Sequence, residues 1–329
     1  MKANVIFILS VDTEEEWDWS GPFPNKDFSV GNVNELPAFQ TFCQELGIKP
    51  TYLVDYAVSN NPHSASVLKA LNKEYCEIGA HLHPWANPPF HGETDEFSSH
   101  VINLPIDLVE GKLKLLVSSI QTNIGCSPKA FRTGRWGING EVLKLLQAYN
   151  FDLDTSIYPL YKNEFFSCES APSQEYWPDY SNTNTKGQQR EILEIPVTVG
   201  FNRSHYSLWQ KLHRLMELKP FSWLRLNGIF WHTKILRKLY LSPELCSGKE
   251  MVTLIDTSLN KQQKILHMYL HSSSLLENVT GLSDKANARE YLCQQMKIAV
   301  EYLKTKANVT FCTMSEARSL LTDNKSESE

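Results

Sequence analysis

Short apolar runs bounded by polar residues alternate along this chain with segments whose apolar positions recur at helical spacing. The first run, Val5-Ile6-Phe7-Ile8-Leu9-Ser10-Val11, reads as a buried strand and ends at Asp12. Leu36, Phe39, Phe42, Cys43 and Leu46 then follow the period of an α-helix, with Gly47 as a natural stop. Thr51 to Val54 predicts a second strand, Val67, Leu68 and Leu71 a short helix, and Glu77 to His83 a third strand. A helix is predicted over Leu108 to Ile120, a strand over Lys129 to Thr133 and a helix over Val142 to Tyr149. Asp152 to Ser156, Ile192 to Thr198 and Ile265 to Leu270 add three strands. A long helix from Lys285 to Lys304 precedes a last strand, Val309 to Cys312, and Ser315 is placed to cap a final helix. Alternation of this kind predicts an α/β fold with parallel pairing, and eight strands predict a closed barrel. One domain over residues 1–322 accommodates all of them.

Two segments interrupt the rhythm. Residues 163–189 are polar and rich in Ser, Asn and Thr, which predicts loop. Residues 205–241 set Trp209, Trp223 and Trp231 among Lys211, Arg214, Arg225 and Lys234, with Glu217 as the single acid. A basic, aromatic helical insertion of this kind packs as a hairpin on the barrel rim, or else makes peripheral contact with a membrane surface or a lipid-linked substrate. The tail, 323–329, is polar and expected to be disordered.

Composition changes this picture little. The 329 residues are 42% apolar and 21% charged, ordinary for a globular protein. A formal net charge of -5 removes the electrostatic case for nucleic acid as a partner. The seven cysteines are odd in number, scattered, and form no Cys-x-x-Cys pair, which argues against a disulfide framework or a cysteine zinc site. No apolar stretch approaches the ~20 residues of a membrane span. The N-terminal apolar run ends in acids where a secretory signal would have small residues, so the expected compartment is the cytoplasm.

The polar residues of interest fall at strand ends, where a barrel carries its chemistry. Asp12 ends the first strand and Glu14 shares its face; Glu15, Glu16 and Asp18 read as solubilising loop acids. His81 and His83 alternate onto one face at the end of the third strand, with Pro84 and Trp85 fixing the turn, and His91 lies near enough to compete. Two imidazoles and two carboxylates are the ingredients of a divalent metal site with a spare base. Arg132 ends the fourth strand and needs a carboxylate partner, for which Asp12 is the natural choice. The glycines after it, Gly134 and Gly137, let the backbone turn sharply. His267, Tyr269 and His271 share a face; His271, at the strand's end, is placed to act as a general acid, and His267, deeper, to serve the core. Asp154 and Ser156 share a face at the end of the fifth strand, a weaker signal.

Taken together, these residues resemble the polysaccharide deacetylase family, also called the NodB homology or carbohydrate esterase 4 group. The resemblance spans roughly residues 5 to 320, with the motifs in family order. It implies a distorted (β/α) barrel of seven or eight strands. The implied activity is metal-dependent removal of an acetyl group from an N-acetylated, less often O-acetylated, sugar. Ser10-Val11-Asp12-Thr13-Glu14 is similar to the first motif, usually Thr-Phe-Asp-Asp-Gly, and implies Asp12 as the base. Thr13 stands where the second acid is usual, which moves the metal ligand to Glu14. The second motif is usually His-x-x-x-His; here His81-Leu82-His83 is followed by Trp85 at the place of the second histidine. The implied ligands of Zn²⁺ or another divalent ion are Glu14, His81 and His83, with His91 the alternative for the third. The His-x-His-Pro-Trp run resembles that of a bacterial subgroup of surface-glycan biosynthesis. Phe131-Arg132-Thr133-Gly134-Arg135-Trp136-Gly137 resembles the third motif, whose arginine holds the base, and Leu270-His271-Ser272 the last, whose histidine is the acid. Trp85, Trp136 and Tyr158 are candidates to stack on a sugar ring, and a backbone N–H between Gly134 and Trp136 to stabilise the oxyanion. The implied partner is an N-acetylated sugar or glycan precursor, free or lipid-linked. Two other readings stay open: a metal-independent hydrolase of amide or imide C–N bonds on the same fold, and a non-catalytic glycan-binding barrel. Base, clamp and acid together favour an enzyme.

Overall fold

The computed structural model describes residues 2–24, 26–203, 206–217, 236–281 and 285–326. Its strands are β1 (Ala3–Thr13), β2 (Pro50–Val54), β3 (Glu77–Leu82), β4 (Ala130–Thr133), β5 (Leu153–Asp154), β6 (Pro178–Asp179), β7 (Asn182–Lys186), β8 (Leu193–Glu194), β9 (Val199–Phe201), β10 (Lys238–Tyr240), β11 (Ile265–His271) and β12 (Ala307–Phe311). Eight of them form one sheet in the order β11-β1-β2-β3-β4-β5-β8, with β12 pairing β1 beside that path. All the pairs of this sheet are parallel, as alternation with helices predicts. β1 lies between β11 and β2, covered on both faces: Phe7, Ile8, Leu9 and Val11 are at most 1% exposed.

The sheet is a curled half-barrel of (β/α) type, not the closed ring that eight strands suggested. β8 and β11, the two ends of the path, do not ladder together. Pro196 accounts for this, because it has no N–H to continue the ladder, so the predicted strand Ile192 to Thr198 breaks after Glu194. The chain instead bridges the gap at His267. Thr198 N–H donates to the His267 carbonyl at 3.0 Å, and His267 N–H donates to Thr198 Oγ1 at 2.8 Å.

Helices flank the sheet. Leu36–Leu46 ends as predicted at Gly47, whose φ of 78° is the left-handed geometry glycine adopts without strain. Gly248–Asn260, which the apolar pattern did not reveal, starts with a capping box between Ser247 and Glu250. No described helix is long and apolar enough to cross a membrane. Three expectations need correction. The polar stretch 163–189 contains an antiparallel hairpin, β6–β7. In the insertion, Tyr206–Glu217 is helical, but Lys238–Tyr240 is a strand antiparallel to β9; 218–235, with Trp223 and Trp231, lie outside the described residues. The last helix, Met314–Ser326, takes in the first residues of the tail expected to be disordered, and 327–329 lie outside the description.

Two carboxyl groups meet where β5 pairs β8. Asp154 and Glu194 are opposite in register and fully buried. Ser156 Oγ donates to Asp154 Oδ1 at 2.7 Å, while Glu194 Oε2 meets no N–H or O–H donor among the other described residues. The pair therefore shares a proton, carried by Glu194, whose carboxyl burial and the neighbouring Asp154 hold well above the usual range. In the unfolded chain that carboxyl ionises near pH ~4.3. The stability this proton contributes is complete below that pH and is lost as pH rises toward the folded-state value. Glu194→Gln supplies the same donor without titrating. It should therefore match or exceed wild type in melting temperature at pH 8, and the difference should shrink toward pH 5. A loss at pH 8 equal to that of Glu194→Ala would contradict the shared proton.

Candidate active site

Parallel pairing brings the C-terminal ends of β1, β3, β4 and β11 side by side. Asp12 is in register with His271, and His81 with Arg132. The strand ends open into a cavity of about 190 Å³ lined by Asp12, Glu14, His81, His83, Trp136 and His271, with Trp17, Trp19, Arg135 and Tyr161 among the residues around it.

Glu14, His81 and His83 converge on one point. His81 Nε2 and His83 Nε2 are 3.0 Å apart, and each lies 3.3 Å from Glu14 Oε2. The other ring nitrogens settle the tautomers. His81 Nδ1 lies 3.1 Å from the Arg132 carbonyl, which only accepts, so Nδ1 carries the proton. His83 Nδ1 lies 3.0 Å from both oxygens of the Glu15 carboxylate and is likewise the donor. Burial lowers the pKa of both histidines, so both are neutral imidazoles at pH 7. Two nitrogen lone pairs and a carboxyl oxygen therefore face one another. Burial also pushes Glu14 up to about 8. A cation in place of the Glu14 proton would satisfy the carboxyl oxygen and both lone pairs at once. The separations of 3.0 and 3.3 Å are close to the ~3.3–3.4 Å edge of a tetrahedron around zinc with ligands at about 2.0–2.1 Å. His91 does not join this group, whose third member among the described residues is His83.

Glu15 is the clearest departure from the sequence reading. Far from being a solubilising acid, it is 1% exposed, and Trp85 Nε1 donates to its Oε1 at 2.5 Å. Asp55, from the loop after β2, gathers with it around His83. The chain turns after Thr13, so the strand's alternation no longer governs which way Glu14 and Glu15 point. Trp85, expected to stack on a sugar, is among the residues lining the cavity, is 2% exposed, and stacks its ring on His83 at 4.2 Å. The loop after His83 is stapled by Lys112, whose buried ammonium donates to the carbonyls of Pro84, Asn87 and Pro89 at 2.6–2.8 Å.

Arg132 pairs with Asp12 as its charge demands. Nη1 donates to Asp12 Oδ1 at 2.5 Å, Nη2 to Ser10 Oγ at 2.8 Å, and Nε to the Thr155 carbonyl at 3.0 Å. Ser10 Oγ also lies 2.8 Å from His267 Nε2, while His267 Nδ1 bonds to the Ile195 carbonyl at 3.2 Å. Ser10 thus accepts from Arg132 and donates to His267, whose pKa burial lowers to about 3. His267 is a core group, as expected, and one that secures the clamp on Asp12.

His271 Nε2 lies 3.6 Å from Asp12 Oδ2, the carboxylate oxygen that Arg132 leaves free. Its Nδ1 faces Glu244 Oε2 at 3.0 Å, and its backbone N–H donates to Glu244 Oε1 at 2.9 Å. Burial alone would lower its pKa; Glu244, Glu14 and Asp12 outweigh it and push it up to about 10, so the ring is cationic at neutral pH. Glu244 carried no signal in the sequence, since it lies in a loop 27 residues from its partner.

The loop after β4 is strained. Arg135 and Trp136 have φ of 63° and 64°, rare for non-glycine residues, and Gly137 follows at 79°. A Cβ on Gly134 would overlap the His83 ring, so glycine is required where the loop passes the metal-ligand candidate. Ser156 Oγ accepts the Thr133 N–H at 2.9 Å, and Gly137 N–H donates to the Ser156 carbonyl at 2.9 Å; this is the support that Asp154 and Ser156 provide. Trp136 reaches the cavity, with Arg132 Cζ 4.7 Å from its ring centroid. Tyr158 stands behind it, 4.7 Å from Trp136, with its hydroxyl 2.7 Å from that of Tyr269.

No protein-family model and no curated protein sequence matches this chain. Solved structures do. A protein described as a polysaccharide deacetylase from Mycobacterium smegmatis superposes with a TM-score of 0.58 at 12% identity, over 99% of this chain and 92% of its own. The 4-alpha-glucanotransferase of Thermococcus litoralis gives 0.52 at 11% identity, over 95% of this chain and 40% of its own. At these identities the likeness is one of fold, and the curled parallel sheet described here is the fold shared with the M. smegmatis protein along nearly the whole of both chains.

Proposed function

We propose that this protein is a metal-dependent deacetylase that removes an acetyl group from an N-acetylated sugar of a polysaccharide or glycan precursor. The observation that carries this reading is the convergence of Glu14 Oε2 with the lone pairs of His81 Nε2 and His83 Nε2, all within 3.3 Å of one another. Zinc suits two imidazoles and a carboxylate, and when bound it supplies Lewis acidity and a water of lowered pKa. The remaining steps belong to side chains. Asp12 Oδ2 takes the proton of the attacking water, while Arg132 holds Oδ1 and fixes the orientation. His271, oriented by Glu244, donates from Nε2 to the departing amine, without which the C–N bond would not break. Gly134 and Trp136 use their N–H groups on the carbonyls of Leu82 and Thr133, which leaves the Arg135 N–H to stabilise the oxyanion. Trp136, Trp17 and Trp19 wall the cavity with apolar faces suited to a sugar ring.

The test is metal content and zinc affinity of the purified protein beside His81→Ala. One tightly bound divalent ion per chain, lost in the variant, is expected, followed by acetate release from an N-acetyl sugar. No ion in either protein after zinc is supplied would overturn the reading.

A further inference from the structure

We propose that Glu15 is the outer carboxylate that orients His83 and tightens its hold on the cation, a role that rests on the metal reading above. Both Glu15 oxygens lie 3.0 Å from His83 Nδ1, the geometry of one N–H shared by the two acceptors of a carboxylate. A neutral imidazole has one proton. With that proton fixed on Nδ1, the Nε2 lone pair is committed to the point where Glu14 and His81 also converge. The carboxylate is itself held, since Trp85 Nε1 donates to Oε1 at 2.5 Å. The Trp85 indole covers the imidazole with its plane tilted by 26°, which blocks rotation of the ring. Glu15, His83 and Trp85 are 1%, 5% and 2% exposed, so bulk water does not compete for these bonds. A buried anion behind a ligand also strengthens that ligand's attraction for a divalent cation, because little solvent screens it.

Glu15, Asp55 and His83 also present ligand-type atoms within 4.8 Å of one another, which raises the alternative of a second cation. The donors argue against it. Two N–H groups, from His83 and Trp85, point at Glu15, and a cation there would face both protons.

The experiment measures zinc affinity of the metal-free protein by competition with a chromophoric chelator. Glu15→Gln is expected to bind zinc about 10–100-fold more weakly than wild type. In a His83→Ala background the same substitution should leave the residual affinity unchanged, because its effect travels through that ring; a merely structural role would weaken both backgrounds alike. Trp85→Phe keeps the stack and removes the N–H, and should cost roughly fivefold, as for one hydrogen bond. It decides the matter if Glu15→Gln does not fold. Wild-type affinity in Glu15→Gln, or an equal loss with and without His83, overturns the role and leaves the metal site standing. A second zinc in the wild type, lost in Glu15→Gln, makes Glu15 a ligand and overturns the role as well. A wild type without zinc affinity removes the metal site and this role together.

Discussion

Asp12→Asn is expected to slow acetate release from an N-acetylated sugar by about 10²–10⁴-fold while zinc stays bound. The substitution is nearly isosteric. Its amide oxygen still accepts from Arg132, so the side chain keeps its place, but it no longer takes a proton. Asp12 contributes no atom to the Glu14, His81 and His83 group, so metal content should not follow activity. The loss should fall on kcat with KM little changed, because proton removal is a transition-state interaction. His271 Nε2 lies only 3.6 Å from Asp12 Oδ2, so both groups act on the same reacting centre. Removing His271 after Asp12 should then cost less than removing it first. A wild-type rate in Asp12→Asn would refute the assignment of the base. Zinc lost together with activity would make Asp12 a ligand and not a base.

Much of this site is legible in the sequence because strands impose alternation. Asp12, His81, Arg132 and His271 each lie at or near the end of an apolar run, and parallel pairing must bring such ends together. The register of β1 on β11, which only the structure shows, sets Asp12 opposite His271. Legibility stops where the chain leaves the strands. Glu14 and Glu15 follow the last residue of β1, and both turn inward although they are adjacent. No periodicity encodes that; it depends on Ser272 Oγ accepting the Glu14 N–H and on Trp85 and His83 waiting for Glu15. Glu244 is found only in three dimensions, as are Ser10 and His267 behind the clamp. The half-barrel shape was hidden for another reason: Ile192 to Thr198 has the composition of one continuous strand, and a single missing N–H at Pro196 divides it. The hairpin β6–β7 is polar on both sides and offers no apolar alternation to detect.

Arg132→Met is expected to destabilise the metal-free protein by about 3–5 kcal/mol, the cost of leaving a buried ion-pair partner uncompensated. Arg132 is 1% exposed and Asp12 2%. The methionine fills most of the volume, so the loss would come from the stranded carboxylate and from the acceptors at Ser10 and Thr155 that lose their donor. Urea unfolding at pH 7 reads it directly. The double variant Arg132→Met with Asp12→Asn separates charge from packing. If the uncompensated charge dominates, the second substitution should recover much of what the first removed, since two neutral groups then face each other. If lost packing dominates, the double variant should be less stable than either single one. A near-wild-type stability in Arg132→Met would mean that Asp12 has a second counter-charge. The cationic His271 ring, held by Glu244, is the group within reach, and the further substitution His271→Gln should then expose the full cost.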